Sequence, residues 1–280
     1  MKKVKQIDTV PASLQPFLKA YPPETRDKRD WNTFKNEEYE AYSELIQALT
    51  DIQHGLCAYC EINIIENDYK IEHFHPKSDI SSETDWMFEI TNLFAACKGG
   101  TQTNGAKTRH PDQSRCLPPI KKNRSCGEAK DDNVMDEDIL KPSDLPISPA
   151  LFSITQKPQG GIVNKVKEGA LKVNENACLQ AGIDPKKVEA TIDTFNLNCD
   201  RLCLARKTVL EKLEEDFELE LADLGENPSD NQIKSVLEKM AKYNLAVNQD
   251  GTLPAFFSTI RIYFLPYAES VLAQSPQNGI

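Results

Sequence analysis

Long apolar stretches are missing from this chain of 280 residues. A helix needs about 20 consecutive apolar residues to cross a bilayer, and the most apolar stretch, AFFSTIRIYFLPYA, is shorter than that. The first residues, MKKVKQIDTVPASL, are basic, but the apolar segment of a signal peptide does not follow them. The sequence therefore predicts a cytoplasmic protein that makes no membrane contact.

Positive charge is also scarce, since 33 Lys and Arg residues stand against 43 Asp and Glu residues. The formal net charge of −10 argues against a protein that coats nucleic acid without sequence preference. The charge is uneven, however, because residues 98–130 hold eight Lys or Arg and only two acids. Electrostatic attraction acts over about 8–10 Å at physiological salt, so this basic segment can engage phosphates. A solvated basic loop is an equally good interpretation.

Histidine is rare, and two of the four, His73 and His75, lie in one stretch, GLCAYCEINIIENDYKIEHFHPKS, at residues 55–78. Cysteine is more frequent, with eight in the chain. In a cytoplasmic protein we expect such cysteines to be reduced, buried or metal-bound rather than paired as disulfides. The two cysteines inside this stretch therefore raise the question of a metal site.

A Cys-x-x-Cys turn places two thiolates at the separation that a tetrahedral zinc ion needs, and leaves two ligand positions open. The downstream candidates are Cys97, Cys116 and Cys126, with His110 as a weaker one. We favour a structural zinc site formed by Cys57, Cys60, Cys97 and Cys126. The alternatives are small buried hydrophobic side chains or a redox pair. A redox pair normally lies within a βαβ pattern, which this segment lacks.

A second set of residues suits phosphodiester hydrolysis. A neutral imidazole such as His73 can accept a proton from water. Its neighbour Glu72 can contact a hard cation, Mg²⁺ or Mn²⁺, which would stabilise charge on a phosphate. Asn92 can hold the histidine loop through its amide. A histidine taken alone is more often a hydrogen-bonded core or surface residue, but the surrounding carboxylate, amide, thiols and basic residues favour a site.

These motifs resemble the HNH, or ββα-metal, nuclease family, in a variant held together by a four-cysteine zinc site. The matching elements occur in order over roughly residues 50–135, as CAYC, EHFHP, Asn-Leu and two separated cysteines. The resemblance implies His73 as general base, Glu72 as ligand of a catalytic Mg²⁺ or Mn²⁺, and Asn92 as the residue that orients the base. It also implies a nucleic-acid substrate, for which we favour DNA over RNA.

One position departs from the family pattern. Family members usually carry Asn, His or Asp as a metal ligand directly after the fourth cysteine, whereas this chain has Gly127, with Lys130 retained. We expect Asp131, one helical turn further on, to supply the ligand. Asn104, with the same spacing to Lys107, is the alternative. Gly127 also supports a different function, a catalytically degenerate zinc-stapled subunit that binds nucleic acid or acts as a scaffold.

Longer phrases, CAYCE, IEHFHPKS and ATIDTFNLNCDRLCLAR, are similar to the HNH subunit of Septu-type and retron-associated antiphage defence systems. That resemblance extends over most of the chain, although the second half is matched by short phrases only. It implies a bacterial effector nuclease that acts with an ABC-type ATPase subunit and with retron components.

The patterns together predict an α+β fold. We expect a zinc-stapled ββα-metal module with an N-terminal helix over residues 1–145 and a mainly helical partner-binding region over residues 146–280. Apolar spacing predicts a helix within residues 36–54 and further helices within residues 185–223, with Leu219 buried. EINIIE and YKIEHFH, separated by an Asn-Asp turn, predict a β-hairpin.

Overall fold

The computed structural model describes most of the chain, namely residues 1–25, 30–64, 68–79, 81, 83–101, 121–155 and 167–274. Asn104, Lys107, His110 and Cys116 lie outside the described residues, as does most of the basic segment 98–130. The alternative metal ligand and the alternative fourth cysteine therefore have no structural description.

Helices dominate the described residues. In chain order they are α1 (Leu14–Ala20), α2 (Trp31–Glu37), α3 (Tyr39–Ile52), α4 (Gly127–Lys130), α5 (Glu175–Ala181), α6 (Pro185–Thr194), α7 (Asp200–Ala222), α8 (Asp230–Asn244), α9 (Phe257–Tyr263) and α10 (Tyr267–Gln274). The strands among the same residues are β1 (Lys70–His73), β2 (Leu93–Ala96), β3 (Phe152–Ile154) and β4 (Leu171–Val173). This mixture of many helices and small sheets confirms the predicted α+β class.

The strands pair as two separate antiparallel sheets, β1 with β2 and β3 with β4. Within the first sheet, Glu72 lies opposite Phe94 and His73 opposite Leu93. The predicted hairpin between EINIIE and YKIEHFH is wrong in the described residues, where only an isolated bridge joins Asn63 to Leu56. Strand β2 is buried at every position, so its backbone needs a strand partner that water cannot replace. Hydrogen bonds to β1 meet that need along one side of β2.

Local sequence explains the helices that frame β1. Asp30 caps α2 by accepting a hydrogen bond from the Thr33 amide, as Asp commonly does before a helix. Helix α3 buries Tyr42, Leu45, Ile46 and Leu49 along one face, which confirms the face predicted from the spacing. These residues join α1, α2 and the underside of β1 in one hydrophobic cluster, so the helices fix the position of the strand.

A second hydrophobic cluster contains residues from both sides of position 145. It joins Cys57 and Phe94 to Phe195, Leu202 and Phe256. The division into residues 1–145 and 146–280 stays a prediction. Because the cluster is continuous, the packing of each part stabilises the other.

The C-terminal helices largely follow the sequence patterns. Ser229 and Gln232 form the capping box that starts α8, and Phe257 and Phe264 are buried in the third hydrophobic cluster. Leu219 is a correction, because it is 66% exposed near the end of α7, where the helix runs past the core. Among the described residues, no helix combines the length and the hydropathy needed to cross a bilayer.

Candidate metal centre and active-site cleft

The four predicted zinc ligands lie together. Cys57 and Cys60 belong to the turn after α3, Cys97 follows β2, and Cys126 directly precedes α4. Their sulfur atoms all lie within 4.8 Å of one another, with Sγ–Sγ distances of 3.8 Å between Cys57 and Cys126 and 3.6 Å between Cys60 and Cys97. Tetrahedral zinc–sulfur bonds of 2.3 Å place the sulfurs about 3.8 Å apart. The donor set therefore fits zinc in both size and chemistry.

The chemistry of these thiols favours a bound cation. All four are buried. Burial raises the pKa of Cys60 and of Cys126, whereas hydrogen bonds among the thiols lower the pKa of Cys97 and, against its burial, that of Cys57. Thiols this close cannot all lose their protons unless a cation balances the charge. Among the described residues, no other set of three or more His, Cys, Asp or Glu side chains is grouped closely enough to hold a metal ion.

A buried arginine from the C-terminal part reaches this cysteine cluster. Arg201 of α7 is 1% exposed, and its Nη2 donates a hydrogen bond of 2.5 Å to Ser125 Oγ. Ser125 Oγ lies 3.5 Å from Cys126 Sγ, so the hydroxyl that accepts from Arg201 can donate to the sulfur. One hydroxyl group thus links a guanidinium on α7 to a candidate metal ligand.

The His73 ring is held in one orientation. Its Nε2 lies 2.9 Å from the carbonyl oxygen of Met87, and Trp31 packs edge-on with a ring-centroid distance of 4.5 Å. A carbonyl only accepts, so Nε2 carries the hydrogen and Nδ1 of the neutral ring keeps its lone pair. Burial lowers the pKa of His73 to about 3, and nearby lysines act in the same direction. The ring is therefore uncharged near pH 7.

Asn92 lies fully buried behind the segment that carries His73. Its Oδ1 accepts from the backbone amide of His75 at 2.7 Å, and its Nδ2 donates to the carbonyls of His75 and Trp86 at 2.9 and 2.8 Å. Both backbone groups of residue 75 are therefore fixed by one side chain. The chain direction directly after His73 depends on this amide.

His75 differs from His73 because both of its ring nitrogens face carboxylates. Nδ1 lies 2.7 Å from Asp136 Oδ2, and Nε2 lies 2.8 Å from Asp79 Oδ2. The ring also stacks on Trp86 with a centroid distance of 4.1 Å. These contacts occupy the ring, so His75 joins neighbouring segments rather than offering a free base.

A cleft of about 350 Å³ brings Glu72 and His73 together, although they alternate along β1. Lys70 lies two residues before Glu72 on the same strand face, and its Nζ is 2.8 Å from Glu72 Oε2 and 2.6 Å from Glu128 Oε1. Burial disfavours the charged form of Lys70, but the two carboxylates outweigh it and raise the pKa of Lys70. The ammonium group of Lys70 therefore lies between two acids of the cleft, Glu72 and Glu128.

Gly127 lies directly against the Glu72 carboxylate. A Cβ at position 127 would overlap the carboxylate carbon and both oxygens. The space beside position 127 is therefore filled by the side chain of Glu72.

The expected helical register of Asp131 is wrong. Helix α4 ends at Lys130, and Asp131 has a left-handed φ of 56°, so it does not continue the face of Gly127. Its side chain nevertheless lines the cleft. As a metal ligand, Asp131 stays a prediction.

The sequence patterns did not predict that Lys70 and Trp31 line the cleft. Lys70 could have been found, because residues two apart on a strand share a face and Lys70 precedes Glu72 by two. The contact of Trp31 with His73 joins distant segments, and the local sequence carries no signal for it.

Comparison with known proteins points to one family. The chain is 34% identical over 192 residues to "Retron Ec83 putative HNH endonuclease" of Escherichia coli, an alignment that covers 64% of this chain and 70% of that protein. It is 24% identical over 181 residues to "Retron Vc95 putative HNH endonuclease" of Vibrio cholerae serotype O1 biovar El Tor, with the same coverage of 64% and 70%. No family model and no solved structure matches the chain.

Proposed function

This chain belongs to the family of the retron HNH endonucleases, and from this premise we propose that it is a metal-dependent endonuclease that hydrolyses phosphodiester bonds. The strongest support is the His73 ring. Its Nε2–H is held by the Met87 carbonyl, which leaves the lone pair of Nδ1 free on a side chain that lines the same cleft as Glu72. An oriented imidazole with a lone pair can act as a general base, and the negative charge of a bound phosphate would raise the pKa of His73 towards the working pH.

In the proposed reaction, His73 Nδ1 takes a proton from a water molecule. The water oxygen then attacks the phosphorus atom, and the bond from phosphorus to the leaving sugar oxygen breaks. Asn92 acts as a positioning residue by fixing the backbone after His73. Glu72 would hold a divalent cation, Mg²⁺ or Mn²⁺, with Asp131 as a candidate further ligand, and this cation would stabilise charge on the phosphate and leaving oxygens.

We assign a structural zinc ion to Cys57, Cys60, Cys97 and Cys126. The assignment is supported by the sulfur separations and by the burial of all four thiols. The site would join the turn after α3 to the end of β2 and the start of α4. The β1–β2 pair followed by α4 is consistent with the ββα arrangement of the family.

We propose DNA, in preference to RNA, as the substrate. Lys35 and Lys77 line the cleft, and lysines attract the phosphate backbone of either nucleic acid. The preference for DNA rests on the family resemblance. The relatives are named as retron proteins, which supports a role as effector subunit in a bacterial antiphage defence system with retron components.

Residues 146–280 are proposed to bind an ABC-type ATPase subunit rather than nucleic acid. Helix α7 exposes several acids to solvent, namely Glu211, Glu214, Glu215 and Glu218. Such a face would repel phosphates. Copurification of the full-length chain with that ATPase is the expected result, and its failure at low salt would contradict the assignment.

The alternative of a catalytically degenerate scaffold depended on Gly127. Since the Glu72 carboxylate occupies the adjoining space, a glycine there is compatible with an intact acidic site. We therefore retain the nuclease as the proposed function.

Cleavage of defined substrates tests the proposal. The zinc-loaded chain with its ATPase subunit would be incubated with supercoiled plasmid or with a structured RNA, in Mg²⁺, Mn²⁺ or EDTA. We expect nicked or linear plasmid with either cation and neither product in EDTA, with zinc content measured at the end of each reaction. Equal cleavage in EDTA, or intact DNA and RNA under all conditions, would contradict the proposal.

A further inference from the structure

Two carboxylates from different elements share one ammonium group in the cleft. Lys70 Nζ lies 2.8 Å from Glu72 Oε2 and 2.6 Å from Glu128 Oε1. Glu72 belongs to β1, whereas Glu128 is the second residue of α4. The single positive charge of Lys70 balances only one of the two acids. A divalent cation at the same place would balance both.

Neighbouring glycines bring the two acids together. Gly127 leaves the space into which the Glu72 carboxylate extends. Gly99, with a φ of 57°, lies beneath Glu128, and a Cβ at position 99 would be 2.9 Å from Glu128 Cβ. The Cβ of Glu128 thus packs closely over Gly99. Its side chain remains 30% exposed, and Glu128 lines the cleft.

We propose that Glu128 is a second carboxylate ligand of the catalytic cation, and that Lys70 holds Glu72 and Glu128 together until the cation displaces its ammonium group. The assignment rests on the proposed function for the existence of that cation. Hard cations such as Mn²⁺ and Mg²⁺ favour carboxylate oxygens and carry twice the charge of Lys70. Lys70 therefore competes with the metal, and Glu128 replaces the ligand that Gly127 cannot provide.

Binding of Mn²⁺ to the full-length, zinc-loaded protein tests the assignment. Free Mn²⁺ would be measured by electron paramagnetic resonance, with Mg²⁺ as competitor. Glu128→Gln should weaken Mn²⁺ binding by roughly tenfold or more, since affinity follows the charge count of the ligands. Lys70→Gln should strengthen it about two- to fivefold, the range expected when a partly exposed ion pair no longer competes.

Two controls lie in the same cleft. Lys35→Gln removes the same charge as Lys70→Gln without touching the two acids, and should change affinity less. Asp131→Asn tests the other candidate ligand and should weaken Mn²⁺ binding less than Glu128→Gln does.

Opposite effects of Glu128→Gln and Lys70→Gln support the assignment. Unchanged affinity in Glu128→Gln, or weaker binding in Lys70→Gln, would overturn it, as would a loss found only in Asp131→Asn. Plasmid cleavage separates this result from the proposed function. Metal binding without cleavage would contradict the nuclease alone, whereas cleavage with unaltered Mn²⁺ binding in Glu128→Gln would contradict the ligand assignment alone.

Discussion

At the scale of single residues, Asn92 uses its whole amide to fix the chain after β1. Asn92→Ala would leave buried backbone groups of His75 and Trp86 without partners. At about 1 kcal/mol for each hydrogen bond, we expect a loss of about 3 kcal/mol in the free energy of unfolding. Urea unfolding measures this loss, and plasmid cleavage should fall with it. Asn248→Ala, at an exposed position, is the control, and an equal change in both variants would contradict the role of Asn92.

The proposed zinc site gives a separate prediction at this scale. Cys60→Ser should remove zinc from the protein and lower its melting temperature, because metal binding contributes folding free energy. Elemental analysis of the wild type should give about one zinc per chain, as one four-cysteine site requires. Cys178→Ser is the matched control, since Cys178 is buried but outside the cluster. A Cys60→Ser protein that keeps its zinc would refute the site.

At the scale of elements, the first residue of α4, Gly127, is constrained by the side chain of Glu72 on β1. Alanine normally stabilises a helix by about 1 kcal/mol relative to glycine. Gly127→Ala should instead destabilise the protein or displace Glu72, because the new methyl group would overlap the Glu72 carboxylate. Thermal unfolding and the Mg²⁺ concentration needed for cleavage would measure the two effects.

A compensating pair sharpens this prediction. Glu72→Asp shortens the acid and opens space beside position 127, so Gly127→Asn should be tolerated better in the Glu72→Asp background than alone. Equal losses for Gly127→Asn in both backgrounds would show that the two positions are not coupled.

The sequence predicted those elements whose pattern is local. The α3 face and the α8 capping box were readable because their contacts repeat within a few residues. The partner of β1 was not, because a strand of four residues carries no signal for which distant segment will pair with it. The prediction that Leu219 is buried was wrong, because helical spacing identifies the face that packs inward but not the residue at which the core ends.

The site divides in the same way. The cluster of four cysteines was predicted from their chemistry, because a Cys-x-x-Cys turn supplies only two of the four ligands that tetrahedral zinc needs. Cysteines further along the same half of the chain were therefore expected to complete the site. The position of Asp131 did not follow, because α4 ends after one turn at Lys130. The hydrogen bond from His73 to Met87 joins a ring to a distant carbonyl, and only the fold reveals it.

At the scale of the whole molecule, α7 supports the cysteine cluster through Arg201 and Ser125. Arg201→Met should therefore weaken zinc retention by roughly tenfold, the lower end of the effect of groups that orient metal ligands. The rate of zinc release to a chelator measures this loss, and the absorption of the Co²⁺-substituted protein should shift. Arg201→Lys should restore part of the affinity. Lys207→Met, on the same helix but paired with Glu168, is the control, and equal release rates in all variants would contradict the link.

The rate of plasmid cleavage by His73 variants tests the central claim most directly. His73→Ala and His73→Gln would be compared with wild type and with His54→Asn, a histidine replacement outside the cleft. His73→Gln keeps an amide that can donate to Met87 but has no basic nitrogen. Because general-base catalysis contributes about 10²- to 10⁴-fold, both His73 variants should lose at least about two orders of magnitude in rate, with unchanged zinc content and Mn²⁺ binding. Cleavage by folded His73→Gln at the wild-type rate would contradict the account.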